Sequence, residues 1–321
     1  MANVRAFHGV HIGVAALIIA TGAWTAEARK PAEQELASIR ATKAGVDANN
    51  NFWAWDRQRR VITRISPDGN RGESDILPDD PWSADADQER GIALLTDAGR
   101  EIDIVDWNGS PKRSIRLRHT ATDVAWLRGN QIATSPRTTG PCIEIWDAST
   151  GEYLSGFGTC PDVKPAHVGA LAGRAALLRY DPAHREIIMF DAFRGDLTAF
   201  SESGATTRTS HISSPKDAAI DAWLKEVDAK ARHDGASESS VIFKYASMTI
   251  APDRSIWLGE EADPHGFVIA VRILQDGTVQ RTRIDVPQCP SIRFISWNDD
   301  FVFFHDPNSP QPLCVAVMRR K

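Results

Sequence analysis

The 321-residue sequence predicts an all-β chain, a six-bladed β-propeller with one inserted amphipathic helix. Three observations predict it. An apolar strand, an Asp, a tight turn holding Gly and a second strand recur along the chain. Cys142–Gly158 reads CIEIWDASTGEYLSGFG, and forty-four positions later Ile187–Ser201 reads IIMFDAFRGDLTAFS, with Asp147 and Gly151 falling on Asp191 and Gly195. Ile102–Asp106 ends on the same aspartate forty-one positions earlier. Recurrence at ~40–45 residues is the length of a four-stranded blade. Secondly, whole and partial units of short strands divide the chain into six. Thirdly, strands such as Ile187-Ile188-Met189-Phe190 are apolar on both faces, as stacked blades require, whereas a half-solvated strand would alternate.

Met1–Ala28 reads as a signal peptide. Arg5 precedes the apolar run Ile12–Ala23, and Ala26-Glu27-Ala28 supplies the small-x-small cleavage pattern. The run is shorter than the ~20 residues of a membrane span, so stable membrane insertion is not expected. The mature chain, 29–321, is then a single exported domain, periplasmic or secreted and expected as a monomer. Its 42% hydrophobic content supports a packed core, and the formal charge of −5 argues against nucleic acid as a partner. Export makes disulfides the expected state of the four cysteines. Folding the hairpin about Ser149-Thr150 brings Cys142 and Cys160 nearly opposite each other, leaving Cys289 and Cys314; four cysteines still allow three connectivities.

The first unit is Ala44–Leu77. Val46-Asp47 leads into an Asn-rich turn, then the strand Phe52–Asp56 and the turn Ser66-Pro67-Asp68-Gly69, in which Pro presets φ and Gly accepts positive φ. Between strands, Arg57-Gln58-Arg59-Arg60 reads as a solvated hairpin turn. Trp82–Arg118, Ala121–Phe157 and Val168–Glu202 follow, each with four short strand-like runs. Ala246–Val286 echoes the first unit, with Asp253–Trp257 falling on Asn49–Trp53. Ile292–Val317 holds about three strands, and Leu36–Ala41 is the natural donor of its fourth, which would close the ring and protect its edges. Trp53, Trp126, Trp146, Trp257 and Trp297 lie in strand-like runs and are expected in the core. One segment breaks the pattern. Ser214–Arg232 places Ile220, Trp223, Leu224 and Val227 at helical spacing behind an N-cap at Ser214, with Asp217 three residues on and Pro215 first in the helix. The insertion covers about 205–239.

The segments VDANNNFWAWDRQRRVITRISPDG (Val46–Gly69) and Met248–Gly277, with Ile256-Trp257 and Asp276-Gly277, carry a resemblance. They resemble the six-bladed propeller superfamily of NHL-repeat, streptogramin-lyase-like and TolB-like proteins. The resemblance implies four-stranded blades around a channel with ligands at its mouth. Its members include lyases, lactonases and pure binding modules. The sequence departs from the metal-binding lactonases in having no Glu at the entry of the first blade.

Candidate chemistry gathers in the turns. Asp181-Pro182-Ala183-His184, Asp263-Pro264-His265 and Asp306-Pro307-Asn308 recur where a second strand is expected to turn into a third, and Asp56, Tyr180 and His305 fall near the same place. Such turns share a rim, where oxygen-rich groups suit Ca²⁺ or another divalent cation; Asp-Pro is equally good turn chemistry. His119, His167 and His211 lie in connections between units. The helix is expected to cover the same rim as a lid or docking element, with Trp223 pointing inward. No nucleophile elbow, phosphate loop or zincin motif is present. The reading is an exported, non-catalytic recognition scaffold that needs no cofactor. It binds a protein, peptide or small polar ligand through His119, His167, His184, Trp223 and His265. The alternative is a lyase- or lactonase-class enzyme acting on a carbohydrate or cyclic ester. In that case a cation would be held by Glu260, Asp263 and Asp306, with His265 or His305 as acid or base.

Overall fold

A computed structural model describes residues 43–319 apart from 48, 57–58, 75–80, 88, 138–139, 160–175, 193, 215–216, 220–221, 223–244, 252, 261–266, 286–292, 298–299 and 305–315. The first sheet is β1 (Lys43–Val46), β2 (Phe52–Asp56), β3 (Val61–Ile65) and β4 (Arg71–Glu73). The second is β5 (Ser83–Asp87), β6 (Gly91–Thr96), β7 (Glu101–Val105) and β8 (Pro111–Arg116). The third is β9 (Ala121–Trp126), β10 (Gln131–Pro136), β11 (Ile143–Asp147) and β12 (Tyr153–Phe157). The fourth is β13 (Ala176–Asp181), β14 (Glu186–Asp191), β15 (Asp196–Ser201) and β16 (Thr206–His211). The fifth is β17 (Tyr245–Ile250), β18 (Ile256–Glu260), β19 (Phe267–Ile273) and β20 (Val279–Asp285). A sixth sheet has three strands, β21 (Arg293–Trp297), β22 (Asp300–Phe304) and β23 (Ala316–Arg319).

Within every sheet the strands are ordered as in the chain, and every pair is antiparallel. The first strands contact one another in succession, β1 with β5, β5 with β9, β9 with β13, β13 with β17, β17 with β21, and β21 with β1. That is a β-propeller with the first strands around the channel. Among the described residues it has five complete four-stranded blades, not the six that the sequence predicts, and a three-stranded sixth sheet. The third-strand edge of the last sheet is β23, and the expected donor, Leu36–Ala41, lies outside the described residues.

The core is a set of wedges between successive sheets rather than one body. Trp53, Trp55 and Ile62 pack against Ile92 and Leu94; Ile102 and Ile115 against Trp126 and Trp146; Ile143 and Ile145 against Ile187 and Phe200; Phe190 against Tyr245 and Ile256. Each inner sheet therefore buries both faces, which explains the unbroken apolar runs. Trp53, Trp126, Trp146 and Trp257 are all buried, as expected. Trp53 stands opposite Gly45 across β1 and β2, and a Cβ at Gly45 would fall 2.5 Å from its ring. A glycine is needed there for the indole to lie down.

Two readings of the repeat need correction. Ile102–Asp106 and Ile143–Asp147 both fall on third strands, β7 and β11, but Ile187–Asp191 is β14, a second strand. The forty-four-residue match is therefore out of phase by one strand. What recurs is a hairpin turn: the Gly151 N–H donates to the Asp147 carbonyl and the Gly195 N–H to the Asp191 carbonyl, both at 2.8 Å, and both glycines have φ near +80° (79° and 85°). The fourth unit also runs to His211 instead of Glu202. By contrast, the echo between the first and fifth units is in phase. Asn50 and Arg254 hold the same left-handed place in the turn between first and second strands, at φ 61° and 68°.

Of the predicted helix, Asp217–Ala219 and Ala222 are helical, and its remaining positions from 215 on, Trp223 included, lie outside the described residues. Its N-terminal chemistry is present: the Ser214 N–H donates to Asp217 Oδ2 at 2.9 Å, half of a capping box. Cys142 is buried at the head of β11, while Cys160, Cys289 and Cys314 lie outside the described residues.

Candidate functional site: the mouth of the channel

Consecutive antiparallel strands put turns at alternate ends of a sheet. The first-to-second turns therefore share one face of the propeller. The second-to-third turns and the connections between sheets share the other. This separates residues that the sequence reading placed together. Asp181-Pro182-Ala183-His184 joins β13 to β14, so it lies on the first face with Tyr180. The connections holding Asp263 and His265 (β18 to β19) and His305 and Asp306 (β22 to β23) leave their sheets at the second face, together with Asp56. The Asp181-Pro182 turn is thus a first-to-second turn, not the second-to-third turn that the sequence suggested. His119 falls in a connection on the second face; His167, Asp263, His265, His305 and Asp306 lie outside the described residues.

The described candidates are engaged by the protein. His119 Nδ1 lies 2.9 Å from Oε1 of Glu144, a buried partner the sequence reading did not identify. His184 Nδ1 lies 2.7 Å from Asp181 Oδ2, and His211 Nδ1 2.7 Å from Asp196 Oδ1. Glu260 is buried at the end of β18 with Arg281 Nε 3.5 Å from its Oε1. Among the described residues, no three His, Cys, Asp or Glu side chains are grouped so as to hold a metal ion.

On the first face, the turns of all five complete blades meet at a cavity of about 610 Å³. Asp47 and Asn50 come from the first sheet, Asp87 and Arg90 from the second, Arg128 from the third, Asp181 and Ala183 from the fourth, and Arg254 from the fifth. Asp85 and Arg179 line it from the inner strands below. The volume is within the ~300–1,000 Å³ range of small-molecule sites. The three turn aspartates have a structural origin. Asp47 Oδ1 accepts the N–H groups of Asn49 and Asn51, Asp87 Oδ1 those of Glu89 and Arg90, and Asp181 Oδ1 those of Ala183 and His184. An Asx turn that closes a hairpin also carries a carboxylate to the channel mouth.

Two further carboxylates tie blade to blade beneath the mouth. An inner strand is the edge of its own sheet, so alternate N–H groups need a partner from elsewhere. Asp85 Oδ2 accepts the Trp126 N–H at 2.8 Å, and Asp123 Oδ2 accepts the Leu178 N–H at 2.7 Å. Asp123 also accepts from the Ser83 hydroxyl, and Arg179 Nη1 is 3.5 Å away. Burial pushes the Asp85 carboxyl up to about 6, with Asp123 adding to the rise and the Trp126 N–H and Arg179 opposing it. Sequence reasoning missed both groups. The alternation Ser83-Ala84-Asp85-Ala86-Asp87 sets its alanines into the wedge and its carboxylates towards the channel.

A second cavity, about 630 Å³, lies between the third and fourth sheets. Its walls include Thr159 and Ala176. No role is assigned to it.

No family model matches the chain, and no curated protein matches it either. Solved structures do. A catalytically inactive virginiamycin B lyase from Staphylococcus aureus, solved with quinupristin, superposes with a TM-score of 0.53 at 12% identity, covering 88% of this chain and 83% of that one. A streptogramin B lyase gives 0.53 at 11% identity, with 88% and 85% covered. A member of the duf4221 family from Bacteroides vulgatus gives 0.53 at 9% identity, with 88% and 94% covered. At these identities the likeness shows a shared propeller fold.

Proposed function

We propose that the protein is an exported recognition scaffold that takes a small polar ligand in the channel mouth of the first face. The observation that carries this reading is the convergence of five first-to-second turns on one cavity furnished with charges of both signs. A rigid ring holds these groups in place without any loop having to order on binding, which is how propellers suit recognition. The site differs from the helix-covered rim favoured by the sequence. Thermal-shift screening of the mature chain against sugars, amino acids, carboxylates and phosphates tests it, since a native-state ligand must stabilise. Hits are expected to vanish in Ala183→Trp, which plugs the mouth from the exposed β13–β14 turn. Hits that survive the plug would place the ligand elsewhere and sink the reading.

Asp85 favours a second reading. A carboxyl whose proton is held up to about 6, beside Arg179, matches what a general base near neutral pH requires. Bound ligand recovered unchanged after prolonged incubation supports the scaffold; its conversion, lost in Asp85→Asn, supports an enzyme of the lyase class.

Export follows from the Met1–Ala28 pattern, and pairing of Cys142 with Cys160 is proposed to staple the third blade. Intact mass of the exported protein is expected to begin at Arg29 and to gain about 4 Da on full reduction, as two disulfides require. An unprocessed N-terminus or four free thiols would count against it.

A further inference from the structure

We infer that the ligand of the channel mouth is a small organic or inorganic anion of carboxylate or phosphate chemistry, gripped by Arg254 with Arg128 and Arg179. The inference rests on the channel mouth being the ligand site, and it adds the sign of the ligand's charge. By count the cavity is balanced, since Asp47, Asp85, Asp87 and Asp181 face Arg90, Arg128, Arg179 and Arg254. Hydrogen-bond commitments break the tie.

Every carboxylate in the cavity is already engaged by the protein's own donors. Asp47 accepts two backbone N–H groups on Oδ1 and the Asn51 amide on Oδ2 at 2.8 Å. Asp87 accepts two on Oδ1 and the Arg90 guanidinium on Oδ2 at 2.8 Å. Asp181 carries two backbone N–H groups and His184. Asp85 holds the N–H groups of Trp126 and Ala86.

The guanidiniums are not engaged to the same degree. Each has five N–H donors. Arg90 is spent on Asp87, the Leu127 carbonyl and the face of Trp126. Arg128 gives one nitrogen to the Pro182 carbonyl at 2.8 Å. Arg179 gives one nitrogen to the Leu178 carbonyl and, at 3.5 Å, to Asp123. The Arg254 side chain makes no hydrogen bond or ion pair among the described residues, and its Nε is buried without a partner. Arg254 lines the cavity, so an acceptor entering the mouth meets a guanidinium not committed to any described residue. What the mouth offers an incoming molecule is donors from three guanidiniums. Their fork geometry matches carboxylate and phosphate oxygens.

Backbone conformation supplies a second, independent argument. Arg254 sits at φ 68°, in the left-handed region that Asn and Gly tolerate best. The equivalent turn of the first blade uses Asn50 at φ 61°. The turn alone would be served better by asparagine; Arg60 and Arg185 hold the same conformation at φ 57° and 58°, but of the three only Arg254 lines the cavity.

Isothermal titration of the mature chain at fixed ionic strength, with inorganic phosphate, malonate and the diamine putrescine as probes, tests the inference. Phosphate or malonate is expected to bind saturably, and whichever binds tighter identifies the anion chemistry; putrescine is expected not to bind. Arg254→Asn is expected to weaken the anion at least tenfold while its Tm stays equal or rises, which separates a lost ligand contact from a damaged turn. Unchanged anion affinity in Arg254→Asn overturns the inference. If putrescine alone binds, and Ala183→Trp abolishes it, the anionic class fails while the channel-mouth site stands. If none of the three probes binds, the anionic class fails, and the thermal-shift screen with Ala183→Trp decides the channel-mouth site by itself.

Discussion

Asp123→Ala is expected to cost the fold about 3–5 kcal/mol, a fall in Tm on the order of 6–12 °C for a chain of this length. The carboxylate is 4% exposed on the inner strand of the third blade. It closes the Val124 N–H at 3.0 Å and the Leu178 N–H of the next blade at 2.7 Å, and it accepts from Ser83 of the preceding blade. Removing it leaves those donors buried without acceptors, at ~1–3 kcal/mol each, and takes the carboxylate from beside the Arg179 guanidinium. Asp123 thus joins three blades. Asp123→Asn should fall between the wild type and Ala, since an amide oxygen can still accept from one neighbour. Urea unfolding of the three proteins measures the difference. A loss below about 1 kcal/mol for Asp123→Ala would mean that apolar wedges alone hold the second, third and fourth blades together.

Much of this architecture could be read from sequence, and the reasons are physical. Strand, turn and wedge are local or periodic properties, so Ile187–Phe190 declared its two buried faces, and Pro67-Asp68-Gly69 its turn. Blade phase is not local. An Asp followed four residues later by a left-handed Gly closes β11–β12 and β14–β15 equally well, although one is a third-to-fourth turn and the other a second-to-third turn. The match of Asp147 with Asp191 therefore carried turn chemistry but not strand position. The same ambiguity placed Asp181-Pro182 on the wrong face. The site was hidden for another reason. Its groups come one or two per blade, from turns about forty to seventy residues apart in the chain, and only ring closure brings them together. Nothing local to Asp85 or Asp123 reveals that a channel lies beyond them. Arg254 alone carried a legible clue, as an arginine aligned with Asn50 at a turn position that suits asparagine.

Asp85→Asn is expected to do the opposite of Asp123→Ala and stabilise the protein at neutral pH, by about 1–3 kcal/mol. Asp85 makes the same kind of latch to the next inner strand as Asp123 does. In the folded protein its carboxyl keeps its proton up to about 6, against an ordinary value of 3.8. Between those values the folded state binds more protons than the unfolded chain, so stability must fall as pH rises. The favourable contribution is whole below pH 3.8, drains away through the interval and is gone above about 6; two units correspond to about 3 kcal/mol at most. An amide cannot ionise, and its oxygen can still accept the Trp126 N–H, so the variant should lose this slope and keep the latch. Urea midpoints of wild type and Asp85→Asn, taken from pH 4 to pH 8, decide the matter. The curves should lie close together at pH 4 and separate progressively to pH 7, with the variant above. A constant offset at every pH would assign Asp85 a packing role without a proton linkage. A variant less stable at pH 7 would show that the charged form is the one the channel holds, with Arg179 outweighing both burial and the Asp123 charge beside it.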